Sequence, residues 1–170
     1  MTAARQERKS RRTRFSAGLG GLLAVAVGWG LVSTASRAAT SEMVVVNRYT
    51  GLAIDGFDPV AYFVDAAPKA GRGELEFRFG GATWRFRNEG NRAAFAADPS
   101  VYAPRFGGHD PMAVARGVAT AGHPELWLIV ERQLYLFYSA AARTAFAQDP
   151  ISSIEAAERH WPDVQRTLAR

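Results

Sequence analysis

Four residues of this sequence are candidates for binding a metal ion or moving a proton. His109, Asp110 and Met112 follow a pair of glycines at 107–108, and His123 lies in a short loop further along the chain. A neutral imidazole is a ligand for Zn or Cu, and a thioether favours Cu(I). These residue types predict a candidate Cu or Zn site, although nothing in their spacing shows that the two histidines converge.

Asp110 also has a purely structural interpretation. The chain contains four Asp-Pro pairs, which begin at positions 58, 98, 110 and 149. An Asp carboxylate accepts hydrogen bonds from the free N–H groups at a helix start, and Pro is tolerated at the first helical position. We therefore expect Asp110 to cap a short helix over residues 112–116. A general acid–base pair of His109 and Asp110 is weaker, because adjacent side chains in extended backbone point to opposite sides.

Composition excludes several classes of function. The chain has 170 residues and no Cys, so disulfides, thiol catalysis and thiolate metal sites are excluded. The net charge of +5 is unevenly distributed, since residues 1–38 hold seven basic residues against one acidic residue. Residues 39–170 carry 14 basic and 15 acidic residues, a net charge of −1. This balance gives no reason to expect a nucleic-acid-binding face.

The first 38 residues have the three parts of an export signal. A basic segment runs to Arg14, an apolar run covers residues 15–33, and small residues surround a cleavage site near Ala38. The segment 10–15 (SRRTRF) resembles a twin-arginine signal. We expect a protein exported to the periplasm or cell envelope. The alternative is an inner-membrane anchor formed by residues 15–33, which would be the only contact with the membrane.

The remaining chain alternates between hairpin and helix patterns. Residues 75–79 (LEFRF) and 82–86 (ATWRF) alternate apolar and polar residues around Gly80-Gly81, which predicts a β-hairpin with one aromatic, core-facing side. Asn88 is a suitable cap for the helix that follows. A helix is also expected at 59–64, an edge strand or a lead-in at 44–46, and a last helix around 151–159 with Trp161 docking the terminus.

The hairpin–helix pattern occurs twice, at an offset of 51 residues and without a gap. Residues 126–137 match the first hairpin, and FAQDP at 146–150 matches FAADP at 95–99. We therefore predict an α+β fold of two β-hairpin–helix units, an internal pseudo-repeat, forming a small antiparallel sheet with flanking short helices.

Several short motifs together resemble the YHS domain family. They are DGFDPVAYF at 55–63, GATWRF at 81–86, FAADP at 95–99, YAP at 102–104, LYL at 134–136 and WP at 161–162. The resemblance covers residues 50–163, which leaves 39–49 as a lead-in segment and 164–170 as a tail. It implies a small exported α+β domain, and metal binding has been proposed for related domains. Where members commonly read Gly-Gly-Tyr-Cys, this chain reads GGHD at 107–110, so Asp110 replaces the family's Cys.

Three functions remain open at this point. The first is an exported binding or accessory module of the YHS type, whose partner is a metal or an unknown envelope protein. The second is a structural or interaction protein of the envelope. The third is an acid–base enzyme that uses His109 and Asp110.

Overall fold

The structure is a computed structural model that describes residues 43–169. The predicted export signal at 1–38, its alternative as a membrane anchor, and the first residues of the lead-in segment lie outside these described residues. None of the helices within residues 43–169 is both long enough and apolar enough to cross a membrane.

The described chain forms two hairpins with short helices around them, which confirms the predicted α+β class. In chain order the elements are a first 3₁₀ turn (Ile54–Gly56), α1 (Ala61–Val64), β1 (Arg72–Phe79), β2 (Ala82–Phe86), α2 (Glu89–Ala97), α3 (Pro99–Tyr102), a second 3₁₀ turn (Arg105–Gly108), α4 (Pro111–Val114), β3 (His123–Val130), β4 (Gln133–Phe137), α5 (Ala140–Gln148) and α6 (Pro150–Leu168).

The two hairpins do not join into one sheet, so the prediction of a single small antiparallel sheet was wrong. β1 pairs only with β2 and β3 only with β4, which gives two separate two-stranded sheets within the described chain. Side chains of β4 instead pack against the first hairpin on one face and against a second cluster on the other. The hairpins therefore meet through side chains rather than through backbone hydrogen bonds.

Two hydrophobic clusters make up the core, and β4 lies between them. Leu134 and Leu136 belong to the first cluster, together with Trp84, Phe86 and other side chains of residues 53–95. Tyr135 and Phe137 belong to the second cluster, with side chains from the second 3₁₀ turn, α5 and α6. Because successive side chains of a strand point to opposite faces, the unbroken apolar run of β4 can contribute to both clusters.

Most local predictions agree with the structure. Asn88 caps α2, Gly80 and Gly81 both have positive φ in the first hairpin turn, and the aromatic face of β2 is buried. The expected edge strand at 44–46 is reduced to one isolated bridge, between Val46 and Ala53. The last helix is longer than the predicted 151–159, because α6 continues through Pro162 to Leu168.

Candidate functional site

His109 lies directly after the second 3₁₀ turn. Three consecutive residues of this turn (106–108) have positive φ, and the chain then becomes extended at His109, with φ −74° and ψ 147°. The N–H of His109 donates to the carbonyl of Phe106 at 3.0 Å, and His109 forms an isolated bridge with Ala121. Its side chain is only 7% exposed, so the backbone holds the imidazole at the edge of the core.

A cleft of about 340 Å³ opens beside this imidazole. It is lined by His109 and by Val44, Val45, Val46, Arg48, Ala121 and Leu168. The lining residues come from four separated parts of the chain, and the lead-in segment supplies more of them than any other part. A volume of this size is at the small end of the range for ligand pockets, which is roughly 300–1,000 Å³.

The wall formed by the lead-in segment is fixed by backbone contacts. The N–H of Val45 donates to the carbonyl of Gly107 at 2.8 Å, and the carbonyl of Val45 accepts from Ile54 at 3.2 Å. Gly107 has φ +61°, and a Cβ at this position would lie 1.8 Å from the carbonyl oxygen of Met43. The glycine is therefore required twice, for its backbone conformation and for the close approach of the segment.

The helix α6 supports His109 from another side. The ring of Trp161 lies 6.0 Å from the imidazole and 5.6 Å from the ring of Phe106, measured between centroids. Trp161 thus docks the C-terminal helix onto the second 3₁₀ turn, as predicted. Leu168, near the end of the same helix, reaches the cleft. The continuation of α6 beyond Pro162 is therefore what brings the C-terminal region to this cleft.

Arg48 is the second polar residue of the cleft. Its side chain is exposed, and it takes part in none of the ion pairs formed within residues 43–169. Among the described lining residues there is no Asp or Glu. The polar groups that this part of the chain presents to the cleft are therefore a guanidinium and an imidazole.

Asp110 is buried, and both of its carboxylate oxygens accept hydrogen bonds from backbone N–H groups. One carboxylate oxygen accepts from the N–H of Met112 at 2.8 Å and caps α4, which confirms the capping prediction. The other oxygen accepts from the N–H of Tyr138 at 2.9 Å, at the end of the second hairpin. A buried carboxylate is tolerated when its oxygens are hydrogen-bonded in this way. Asp110 thus ties its helix to its hairpin, and neither oxygen is directed to the cleft as a separate polar group.

Asp58 makes the same connection in the first half of the domain. Its oxygens accept from the N–H groups of Val60 and Arg87, each at 2.9 Å, and also from the side-chain amide of Asn91 at 2.7 Å. The pattern G-x-D-P-x-A, present at 56–61 and again at 108–113, signals this equivalence in the sequence. The four Asp-Pro pairs were noticed in the sequence analysis, but this longer match around two of them was missed.

The remaining predicted ligands lie in other environments. Met112 is half-buried against the second hydrophobic cluster. His123 is exposed at the start of β3, and its Nδ1 accepts from the N–H of Glu125 at 3.3 Å. Within residues 43–169, no three His, Asp or Glu side chains are placed to hold one metal ion. The four predicted residues therefore do not fit a metal centre built from the described chain alone.

Arg48 and Leu168 were not predicted from the sequence. Each is far from His109 along the chain, and neither belongs to a motif, so no sequence signal connects them to the cleft.

A scan against protein-family models and searches of curated proteins and solved structures find no match for this chain.

Proposed function

We propose that this chain is an exported binding or accessory module of the YHS type, and that its ligand binds in the cleft beside His109. The observation that carries this proposal is the position of His109. It is a mostly buried polar residue that also lines a cleft of about 340 Å³. Buried polar side chains that converge on a concave, largely apolar surface are typical of ligand sites.

An acid–base enzyme is less well supported. Such a pair needs the Asp110 carboxylate to exchange protons with His109 or with a substrate. Both oxygens of Asp110 instead accept backbone N–H groups, as those of Asp58 do in a region without any histidine. The shared arrangement supports a structural role for the two aspartates.

The proposed assignment to the YHS family and to the cell envelope depends on the sequence motifs and on residues 1–38. A metal ligand, which the family resemblance suggests, would have His109 as its residue in the cleft. The chain lacks the family's Cys, and the described residues offer no second and third ligand beside His109. We therefore place more weight on a ligand other than a bare metal ion.

We also propose that the two hairpin–helix units arose by duplication. The bounds of β1, β2 and α2 become those of β3, β4 and α5 when 51 is added to each residue number. The connections made by Asp58 and Asp110 support the same interpretation. In the G-x-D-P-x-A match, whose offset is 52 residues because the motif lies one residue nearer to the second hairpin than to the first, the counterpart of His109 is Phe57, which has φ −73° and ψ 152° and also follows a 3₁₀ turn.

The equivalence of these two positions supplies a matched control for a binding test. The His109→Phe variant places in the second unit the residue that the first unit already has in the same backbone conformation. We would titrate the full chain with four probes, Zn²⁺, octanoate, octanol and octylamine, and follow the imidazole signals of His109 by NMR.

The expected result is a saturable shift of the His109 signals with at least one probe, together with loss of that probe's binding in His109→Phe. His123 and His160, which are exposed and do not line the cleft, serve as internal references. If none of the four probes moves the His109 signals at millimolar concentration, the cleft is not a ligand site and the proposed function is wrong.

A further inference from the structure

We infer that the ligand of this cleft is a small organic acid with an apolar chain, an inference that rests on the proposed function. The carboxylate is placed at Arg48, and the chain lies against the valines of the lead-in segment and Leu168, with its far end toward His109. The residues that line the cleft favour this chemical class of ligand over alcohols and amines.

The apolar part of the lining determines what the body of the ligand must be. Val44, Val45, Val46 and Leu168 are branched aliphatic residues of the lining, and Ala121 is a small one. Val44 and Val46 also pack against the first cluster, and Leu168 packs against the second. These residues are half-buried apart from Ala121, which is exposed, so they cover one another only in part. A ligand that covers them removes apolar surface from water, which is favourable by roughly 25 cal/mol per Å². The cavity volume of about 340 Å³ is at the small end of the range for ligand pockets, so the ligand must be small, and eight-carbon compounds serve as the probes.

The charged part of the lining determines what the head group must be. Arg48 is exposed and takes part in no ion pair within the described chain, so its guanidinium can face a ligand without first breaking a salt bridge. A guanidinium binds a carboxylate through two parallel hydrogen bonds, which no alcohol or amine can reproduce. No described lining residue is acidic, so a cationic ligand would face Arg48 without any compensating carboxylate.

The positions of the two polar residues agree with a ligand whose apolar chain enters the cleft first and whose carboxylate stays at the opening. His109 is mostly buried whereas Arg48 is exposed, so the imidazole lies at the inner wall and the guanidinium at the mouth. A chain inserted among the valines leaves its carboxylate at the mouth, where it keeps part of its hydration. A charged group held at such a rim avoids most of the cost of burying a charge.

The test is a calorimetric titration of the full chain with octanoate, octanol and octylamine at constant pH. We expect octanoate to bind with a 1:1 stoichiometry and at least tenfold more tightly than the other two probes. The Arg48→Gln variant should weaken octanoate binding at least tenfold and leave octanol binding unchanged. Arg116→Gln, at an exposed arginine that does not line the cleft, is the matched control and should bind octanoate as the unchanged protein does.

The outcomes separate this inference from the proposed function. Equal binding of octanoate and octanol, or octanoate binding that is unchanged in Arg48→Gln, would overturn the carboxylate inference, and the proposed function then stands if a probe still shifts the His109 signals and fails if none does. Octanoate bound by the apolar residues 15–33 would give this second result, since it would not depend on Arg48. If Zn²⁺ alone shifts the His109 signals, the inference also fails and the proposed function stands. If no probe binds, both are wrong.

Discussion

β2 and β4 occupy matching places in the two hairpins, but only β4 is buried on both faces. In β2 the burial alternates, with Ala82, Trp84 and Phe86 buried and the residues between them half-buried. In β4 the four residues 134–137 are all buried. The first hairpin thus covers one cluster, whereas β4 of the second hairpin lies between the two clusters and contributes side chains to both.

A second difference lies at the residue before each buried aspartate. Phe57 and His109 have nearly the same backbone angles, and each N–H donates back to the 3₁₀ turn before it. The aspartates and prolines that follow perform the same structural task in both places. The comparison teaches that the shared residues hold the fold, so that the position before the aspartate is free to vary and can carry a different chemistry.

The aspartates provide the largest expected effect. Asp58→Ala leaves the N–H groups of Val60 and Arg87 and the amide of Asn91 without their acceptor, and each unsatisfied buried group costs about 1–3 kcal/mol. We expect the free energy of unfolding to fall by roughly 4 kcal/mol, measured by urea denaturation. Asp110→Ala, which leaves two N–H donors without their acceptor instead of three donors, should cost less.

Asp98→Ala is the control for this comparison. Asp98 is exposed and caps only α3, so its removal should cost about 1 kcal/mol. If Asp58→Ala were no more destabilising than Asp98→Ala, the proposed structural task of the buried aspartates would be refuted.

The difference between the strands can be tested at one matched pair. Leu136 is 0% exposed, and we expect Leu136→Ala to lower the free energy of unfolding by about 3 kcal/mol, as is usual for a buried leucine. Its counterpart at the offset of 51 is Arg85, whose side chain is about one-third exposed and paired with Glu76. Arg85→Ala should cost less than about 1 kcal/mol. Similar losses in the two variants would contradict the central position of β4.

The buried phenol of Tyr62, in the first unit, makes the free energy of unfolding depend on pH. Burial raises the pKa of Tyr62 well above its ordinary value, and Asp58 and Glu125 raise the pKa further. The folded state therefore holds this phenol neutral, and its hydroxyl donates to the carbonyl of Pro124 at 2.9 Å. Because the unfolded phenol ionises near pH 10, stability should be complete below that pH and fall above it by roughly 1.4 kcal/mol per pH unit.

Tyr62→Phe separates this effect from general alkaline unfolding. The variant should lose about 1 kcal/mol at pH 7, through the missing hydrogen bond, and should show a smaller loss between pH 10 and 11. Val114 occupies the matching place in the second unit, where the phenol whose pKa burial raises is instead that of Tyr135, so Tyr62→Phe keeps the contribution of Tyr135. If the free energy of unfolding falls equally with pH above 10 in Tyr62→Phe and in the unchanged protein, Tyr62 does not determine the alkaline loss of stability.

The smallest expected effect concerns the hairpin turns. Gly80 and Gly81 have positive φ in the first turn, while Glu131 and Arg132 adopt positive φ in the second, where side chains are disfavoured. We expect the double change Glu131→Asn and Arg132→Gly to raise the free energy of unfolding by about 1 kcal/mol, measured by thermal and urea unfolding. Arg116→Gln, away from the turn, should leave it unchanged, and a loss in the turn variant would contradict the expected strain.

The fold was predicted best where one residue type has one physical role. Alternation around Gly80-Gly81 indicated the first hairpin, and Asn88 indicated the helix after it, because both signals depend on near neighbours. The separation of the two sheets was missed, since strand pairing between residues far apart in the chain has no local signal. The unbroken apolar run of β4 indicated only burial on both faces, and such a run can also belong to the centre of one larger sheet.

The candidate site was predicted in part for the same reason. His109 was identified because its neighbours Gly107 and Gly108 set it apart locally. The cleft itself depends on Arg48 and Leu168, which tertiary folding alone brings to His109. The dual hydrogen bonding of Asp110 likewise needs Tyr138, 28 residues away, which no local pattern indicates.

The backbone contact between the lead-in segment and Gly107 has a consequence for how this domain folds. Val45 and Gly107 are 62 residues apart along the chain, and so are Tyr62 and Pro124, which lies in the second hairpin. Contacts this distant along the chain form late, because a long loop must close before they contribute. During synthesis, residues 43–102 lack the hydrogen-bond partners at Gly107 and Pro124 until the second 3₁₀ turn and β3 have been made. The two units are therefore expected to gain their stability together, in one cooperative transition.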